Sequence, residues 1–162
     1  MSSLSRSVAG GAAPSNDGGA PPPAAMRLRL ELEIPNDVRY IERIVGVVQR
    51  ECRNFDYPAR FCALNIPVAL SEALSNAILR GNSEDAEKHV AVRVSVDAST
   101  LVIEVEDEGT GFDLDASTRD PATPQNLERE DGRGLFLMRA LMDRVERFQD
   151  GGNIVRLTLR RA

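Results

Sequence analysis

Cysteine, histidine, long apolar runs and surplus positive charge are all scarce in this sequence. The two cysteines, Cys52 and Cys62, match neither a zinc pattern nor a CxxC redox pair, so they read as reduced core or surface thiols. The single histidine, His89, stands on an apparent loop before a strand and reads as a surface residue. No segment approaches the ~20 apolar residues that span a bilayer. The N-terminus has neither the basic start nor the apolar stretch of a signal peptide. Net charge is −5 with acids and bases interspersed, which argues against nucleic acid as the main partner, because phosphate binding needs a basic face. No internal repeat occurs. The expectation is a soluble cytoplasmic protein with no membrane or direct nucleic-acid partner.

What is present divides in two. Residues 1–25 are almost entirely Ser, Gly, Ala and Pro, ending in Pro21-Pro22-Pro23, and cannot bury enough surface to offset the entropy of ordering. They are expected to form a disordered tail, with one domain over 26–162. In that domain Leu28, Leu30, Leu32 and Ile34 alternate with charged residues, the period of a strand with one wet face. Pro35-Asn36-Asp37 supplies a helix start, and Val38, Ile41, Val45, Val48 and Cys52 follow at helical spacing. A second helix is expected from Pro67 through Leu79, stopping at Gly81. Residues 90–96 and 101–105 alternate as a strand pair. Residues 113–131 are polar and aperiodic, a loop long enough to have a role of its own. Residues 132–142 are apolar nearly all round, which predicts a buried helix, and Asp150-Gly151-Gly152 turns a last hairpin. Alternating strands need one covered face and three helices are available. The fold class is α+β, a two-layer sandwich of a mixed, mostly antiparallel sheet with helices on one face.

Three stretches stand out as candidate chemistry. In the second helix, Glu72 and Asn76 are four apart and share a face. A carboxamide oxygen suits a hard cation and a carboxylate can accept a proton from an attacking hydroxyl, but the pair also fits a solvated stripe. At the end of a strand, Asp107 is followed by Gly109 and Gly111, whose freedom lets backbone approach a ligand or simply makes a tight turn. After the long loop, Gly132-Arg133-Gly134-Leu135 opens a helix, where glycine N–H groups could face a phosphate or the glycines could serve as a hinge.

Taken in order, the acid-helix-Asn, strand-Asp-x-Gly-x-Gly and Gly-x-Gly-Leu boxes resemble the Bergerat-type ATP-binding domain of gyrase, heat-shock chaperones, mismatch-repair proteins and histidine kinases. The resemblance spans nearly all of residues 27–160. It implies that Asn76 holds magnesium, that Asp107 bonds the adenine amino group, that 113–131 form a lid, and that Gly132 and Gly134 meet the phosphates through backbone. Gly109, Gly111, Arg133 and Leu135 belong to the same ATP-contacting boxes.

Within that superfamily, Ser71-Glu72-Ala73-Leu74-Ser75-Asn76-Ala77-Ile78 and Gly132-Arg133-Gly134-Leu135-Phe136-Leu137-Met138 look like the anti-sigma-factor serine kinases of bacteria. The resemblance implies an ATP- and Mg2+-dependent protein-serine kinase. Such a kinase sequesters a sigma factor, phosphorylates a serine of an anti-sigma factor antagonist of the STAS type, and works as a homodimer. Glu72 would be the general base, and Arg129 or Arg133 would neutralise the transferring charge. The different reading is an ATP-responsive binding module without kinase activity. Two departures mark this chain: the helix box, which commonly ends in His-Gly, reads Arg80-Gly81, and Gly152-Asn153-Ile154 replaces a Gly-Thr-Thr near the last strand.

Overall fold

The computed structural model describes residues 3–10, 26–109 and 130–162. The alternation read from sequence becomes a sheet with one wet face. In β2 (Met26–Pro35) Leu28, Leu30, Leu32 and Ile34 are buried while the charged residues between them are exposed. The other strands are β1 (Ser3–Gly10), β3 (His89–Val96), β4 (Thr100–Asp107), β5 (Arg144–Gln149) and β6 (Asn153–Arg160). They form one six-stranded sheet in the order β1-β2-β3-β4-β6-β5, and every neighbouring pair among the described residues is antiparallel rather than mixed.

Register is set by the apolar rows. Leu30 pairs with Val94, Val94 with Ile103 and Ile103 with Leu157, a continuous inward row across four strands. Because side chains alternate at a period of two, a slip of one residue would turn every such row outward. The opposite face carries a row of alternating charge. Arg93 Nε lies 3.3 Å from Glu104, Arg156 lies 2.8 Å from Glu104, and Arg156 also reaches Glu146 at 3.8 Å. These are directly paired cross-strand positions, where opposite charges support the sheet and like charges would oppose it.

Three helices cover the inward face. Asp37 starts the first by accepting the Arg39 N–H at 2.9 Å, capping a 3₁₀ turn (Val38–Tyr40) that leads into α1 (Ile41–Asn54). Ile44, Val45, Val48 and Cys52 of α1 are buried, but Val38 is 46% exposed, because the tighter 3₁₀ turn places it off the helix face that the spacing predicted. Helix α2 (Ile66–Asn76) lies inside a longer helical run, Phe61–Gly81, with a π turn at each end. The run starts ahead of Pro67 because the wider turn Phe61–Asn65 already carries the Ile66 N–H to the Phe61 carbonyl, so proline falls where the bonding pattern changes. By length and composition this run could cross a membrane, contrary to the sequence expectation, but it is the central core helix, packed on α1 and α3 (Glu130–Leu141). Ile66, Leu70, Leu74 and Ile78 are fully buried, and the Asn65 amide donates to the Leu141 carbonyl at 2.7 Å, tying the two helices together.

Two further expectations need correction. Ser3–Gly10 are not tail but strand, pairing with β2 from Ser3 opposite Glu33 to Gly10 opposite Met26, because the edge of β2 offers unpaired main-chain groups to any extended segment. Helix α3 is not buried all round. Leu135 and Met138 face α2, whereas Phe136 and Leu137 are 57% and 38% exposed, since a helix on the outside of one layer has a partner on one side only. Both cysteines are free and buried. The expected lid, 113–131, lies almost wholly outside the described residues.

The two-layer packing predicts a contrast along one helical run. Leu70→Ala, at a fully buried position, should cost about 2–5 kcal/mol in urea unfolding, and Leu64→Ala, 46% exposed, about 0.5 kcal/mol or less. Equal costs would contradict the assignment of the inward face.

Candidate functional site

Asp107 is the last residue of β4 and continues its inward row after Leu101, Ile103 and Val105, so strand parity alone directs a carboxylate into the space between sheet and helices. It is 5% exposed. A buried carboxylate needs donors. Its Oδ1 accepts the Gly109 N–H at 2.8 Å and the Asn153 amide at 3.0 Å, Asn153 being its register partner on β6. Burial pushes the Asp107 carboxyl above its ordinary value; the Gly109 N–H, the Asn153 donors and the Arg147 charge oppose that shift without cancelling it.

Glycine surrounds this carboxylate. A Cβ on Gly81 would overlap Asp107 Oδ2, one on Gly109 would overlap the Gly81 carbonyl, and one on Gly152 would overlap the Asp107 carbonyl. Gly81, read from sequence as a helix stop, is thus a contact surface for the acid. The π turn Ala77–Gly81 delivers it there, closed by the Asn82 N–H to the Ala77 carbonyl at 2.8 Å. Wide helical turns of this kind are frequent at functional sites.

Asn82, which sequence reading missed, holds the surroundings together. It is wholly buried; its Nδ2 donates to Asn36 Oδ1 at 3.0 Å and to the His89 carbonyl at 2.9 Å, and its Oδ1 accepts the Glu108 N–H at 2.7 Å. Asn36 in turn donates to the carbonyls of Ile78 and Asp85 at 3.2 and 3.1 Å. The ends of β2, α2 and β4 and the start of β3 therefore meet in one carboxamide pair. Ser83 and Glu84 leave this point with φ of 52° and 59°, a left-handed bend that non-glycine residues hold only when surroundings dictate it. The one signal in the sequence was an Asn directly after the Gly that ends an apolar helix.

The second cluster lies further back along the same helix. Glu72 and Asn76 are partly buried rather than a solvated stripe, and Gly134 of α3 packs against them. A Cβ on Gly134 would come within 2.7 Å of Glu72 Oε2 and 3.4 Å of Asn76 Nδ2. Two of the three boxes are thus in contact, and the third stands roughly 13 Å along the helix axis from Glu72, counting nine residues to Gly81 at ~1.5 Å each. An extended nucleoside triphosphate has that reach.

The remaining candidates fall into place unevenly. Helix α3 begins at Glu130, so Gly132 lies in the first turn, where N–H groups have no partner inside the helix. Gly134 lies in the next turn, where N–H groups are donated internally, so its closeness to Glu72 and Asn76 is its distinctive feature. Arg133 is exposed, and Leu135 is a core residue at 4% exposure. Gly111 and Arg129 lie outside the described residues. Among the described residues no three His, Cys, Asp or Glu side chains gather as a metal cage. One carboxamide and one carboxylate instead fit a cation such as Mg2+, which keeps several waters and takes the rest of its shell from substrate phosphates.

Comparison with known proteins shows the family. Residues 34–159 match the model of the histidine kinase-like ATPase domain. The serine-protein kinase RsbW of Bacillus subtilis is 32% identical over 138 residues, covering 80% of this chain and 83% of its own. The RsbW of Listeria monocytogenes is 27% identical over 144 residues, covering 83% of this chain and 88% of its own. In three dimensions the chain resembles the crystal structure of the RsbU and RsbW domains of a Mycobacterium tuberculosis protein, with a TM-score of 0.59 and 16% identity, over 82% of this chain and 32% of that longer one.

The acid pocket yields two expectations. Gly81→Ala should cost about 1–3 kcal/mol in unfolding, since the added methyl meets the Asp107 carboxylate, and the substitution should weaken nucleotide binding. Asp107 holds its proton more tightly folded than unfolded, so its favourable contribution is present at low pH and lost as pH rises through its folded value. Asp107→Asn, which keeps an acceptor for Gly109 and Asn153, should therefore raise the nucleotide-free melting midpoint at about pH 7, the gain shrinking towards about pH 4. A midpoint lowered at neutral pH would mean that the charged form is not the strained one.

Proposed function

The chain belongs to the histidine kinase-like ATPase domain family, as an ATP-using kinase of the RsbW kind, and from that premise we propose that it is an anti-sigma factor kinase. In this reading it sequesters a sigma factor and, with ATP and Mg2+, phosphorylates a serine of an anti-sigma factor antagonist. It acts in the cytoplasm and as a homodimer. The observation that carries the reading is the contact of Gly134 with Glu72 and Asn76, which gathers a carboxylate, a carboxamide and a glycine of α3 at one place. The names of the relatives support a protein serine as the acceptor.

Each residue then has a task. Asp107 accepts the exocyclic amino group of adenine, with Gly81 and Gly109 leaving room for the ring. Gly132 presents a first-turn N–H to the phosphates at the positive end of α3, and Arg133 lines the same site. Asn76 would hold Mg2+ through its side-chain oxygen, its Nδ2 lying nearest Gly134. Bound there, the ion would neutralise charge on the β- and γ-phosphates. Glu72 takes the proton of the serine hydroxyl as the new O–P bond forms and the bond to the β–γ bridging oxygen breaks, releasing ADP.

The test is phosphoryl transfer from labelled ATP to an antagonist encoded beside this chain. Glu72→Gln should lower transfer by about 10²–10⁴-fold with nucleotide affinity nearly intact, whereas Asn76→Ala should weaken Mg2+-dependent binding. ATP binding without transfer to serine by the native chain would leave a binding module in place of a kinase. Full transfer by Glu72→Gln would remove Glu72 from the base role.

A further inference from the structure

The departure at Gly152-Asn153-Ile154 places a carboxamide where it controls the buried acid. Asn153 is 6% exposed, opens β6, and stands opposite Asp107 in the β4–β6 register and opposite Gln149 in the β5–β6 register. Its two ends are committed in opposite directions. Nδ2 donates to Asp107 Oδ1 at 3.0 Å, and Oδ1 accepts from Gln149 Nε2 at 3.2 Å. We propose that Gln149 and Asn153 form a relay that fixes the rotation of the Asp107 carboxylate, and that Asn153 is thereby the positioning residue for base selectivity. The proposal rests on the ATP-site reading above and deepens it.

Direction is the substance of the relay. A carboxamide has one donating end and one accepting end; the carboxylate takes the donating end, and Gln149 Nε2 holds the accepting end in that orientation. Were Asn153 flipped, its oxygen would stand against Asp107 Oδ1, two acceptors at hydrogen-bond distance. With the observed orientation, Oδ1 receives both the Asn153 amide and the Gly109 N–H. Oδ2 is the oxygen packed beside Gly81, where any added side chain would overlap it. A carboxylate held this way offers one aimed acceptor, suited to the exocyclic amine of adenine and opposed to the carbonyl at the equivalent position of guanine.

Gln149 is exposed on the edge strand and reaches the site through Asn153, which makes it the place to test the relay from outside the pocket. Gln149→Glu replaces the donor with an acceptor of the same shape, drawing Asn153 Nδ2 towards position 149 and turning its oxygen on Asp107. The measurement is calorimetric affinity of the full-length chain for ATP and for GTP, each with Mg2+. Gln149→Glu should lower the ATP-to-GTP affinity ratio by about tenfold, the scale of one hydrogen bond to a charged group. Asn153→Leu should do the same, and Asn153→Thr, which keeps a donor, should recover most of the ratio. A merely structural role would lower both affinities together and leave the ratio alone. A native chain that prefers ATP, with the ratio unchanged in Gln149→Glu, overturns the relay and spares the ATP site. A native chain that binds neither nucleotide overturns the site reading itself.

Discussion

Placing a carboxylate at the inward end of a strand is the constraint around which this molecule is arranged. Burial disfavours the charged form, so Asp107 is tolerable only where N–H donors converge on it and no side chain crowds it. Gly109 and Asn153 supply the donors, and Gly81, Gly109 and Gly152 supply the room, each at a position where a methyl group would overlap Asp107 or the backbone beside it. The sheet register puts Asn153 opposite Asp107, and the π turn at the end of α2 puts Gly81 against its side chain.

That corner must be rigid to be useful, and its rigidity comes from polar rather than apolar contacts. The Asn36–Asn82 pair connects four chain segments through five hydrogen bonds, one of them shared between the two side chains. A buried network in which the donors and acceptors are matched specifies one arrangement, because any alternative leaves a polar group unpaired in a medium that penalises it. The helix that ends at this corner also carries Glu72 and Asn76, so the acid corner and the Glu72–Asn76 cluster are set by one rigid rod. Its apolar face, Leu70, Leu74 and Ile78, anchors the rod against the sheet.

Much of this is legible in the sequence alone. The period of two in 28–34, 90–96 and 101–105 named the buried face of three strands, and Asp107 could be placed on that face by continuing the count. Helical spacing named Val45, Val48 and Cys52 of α1. The three boxes were recognisable as an ordered set. Less legible was anything that depends on what lies next door. The pairing of Ser3–Gly10 with β2 is a main-chain event with no apolar period to announce it. The exposure of Phe136 and Leu137 follows from α3 having a partner on one side only, which composition cannot express. The π turns arise where a proline and a glycine contact must both be accommodated, and Asn82 is one polar residue among many until its three partners are known.

By itself, the sequence determined which residues share a face and in what order the acid, the carboxamide and the glycines occur, because side-chain period and backbone permissiveness are local properties of the chain. Tertiary structure decided which glycine meets which acid across the fold: Gly81 lies on Asp107 Oδ2, Gly134 lies on Glu72, and Asn153 turns its amide to the carboxylate while Gln149 holds the other end. Those pairings join residues between four and 62 positions apart. Strand register, helix end geometry and hydrogen-bond direction fix them jointly, and none of the three is written in any one segment.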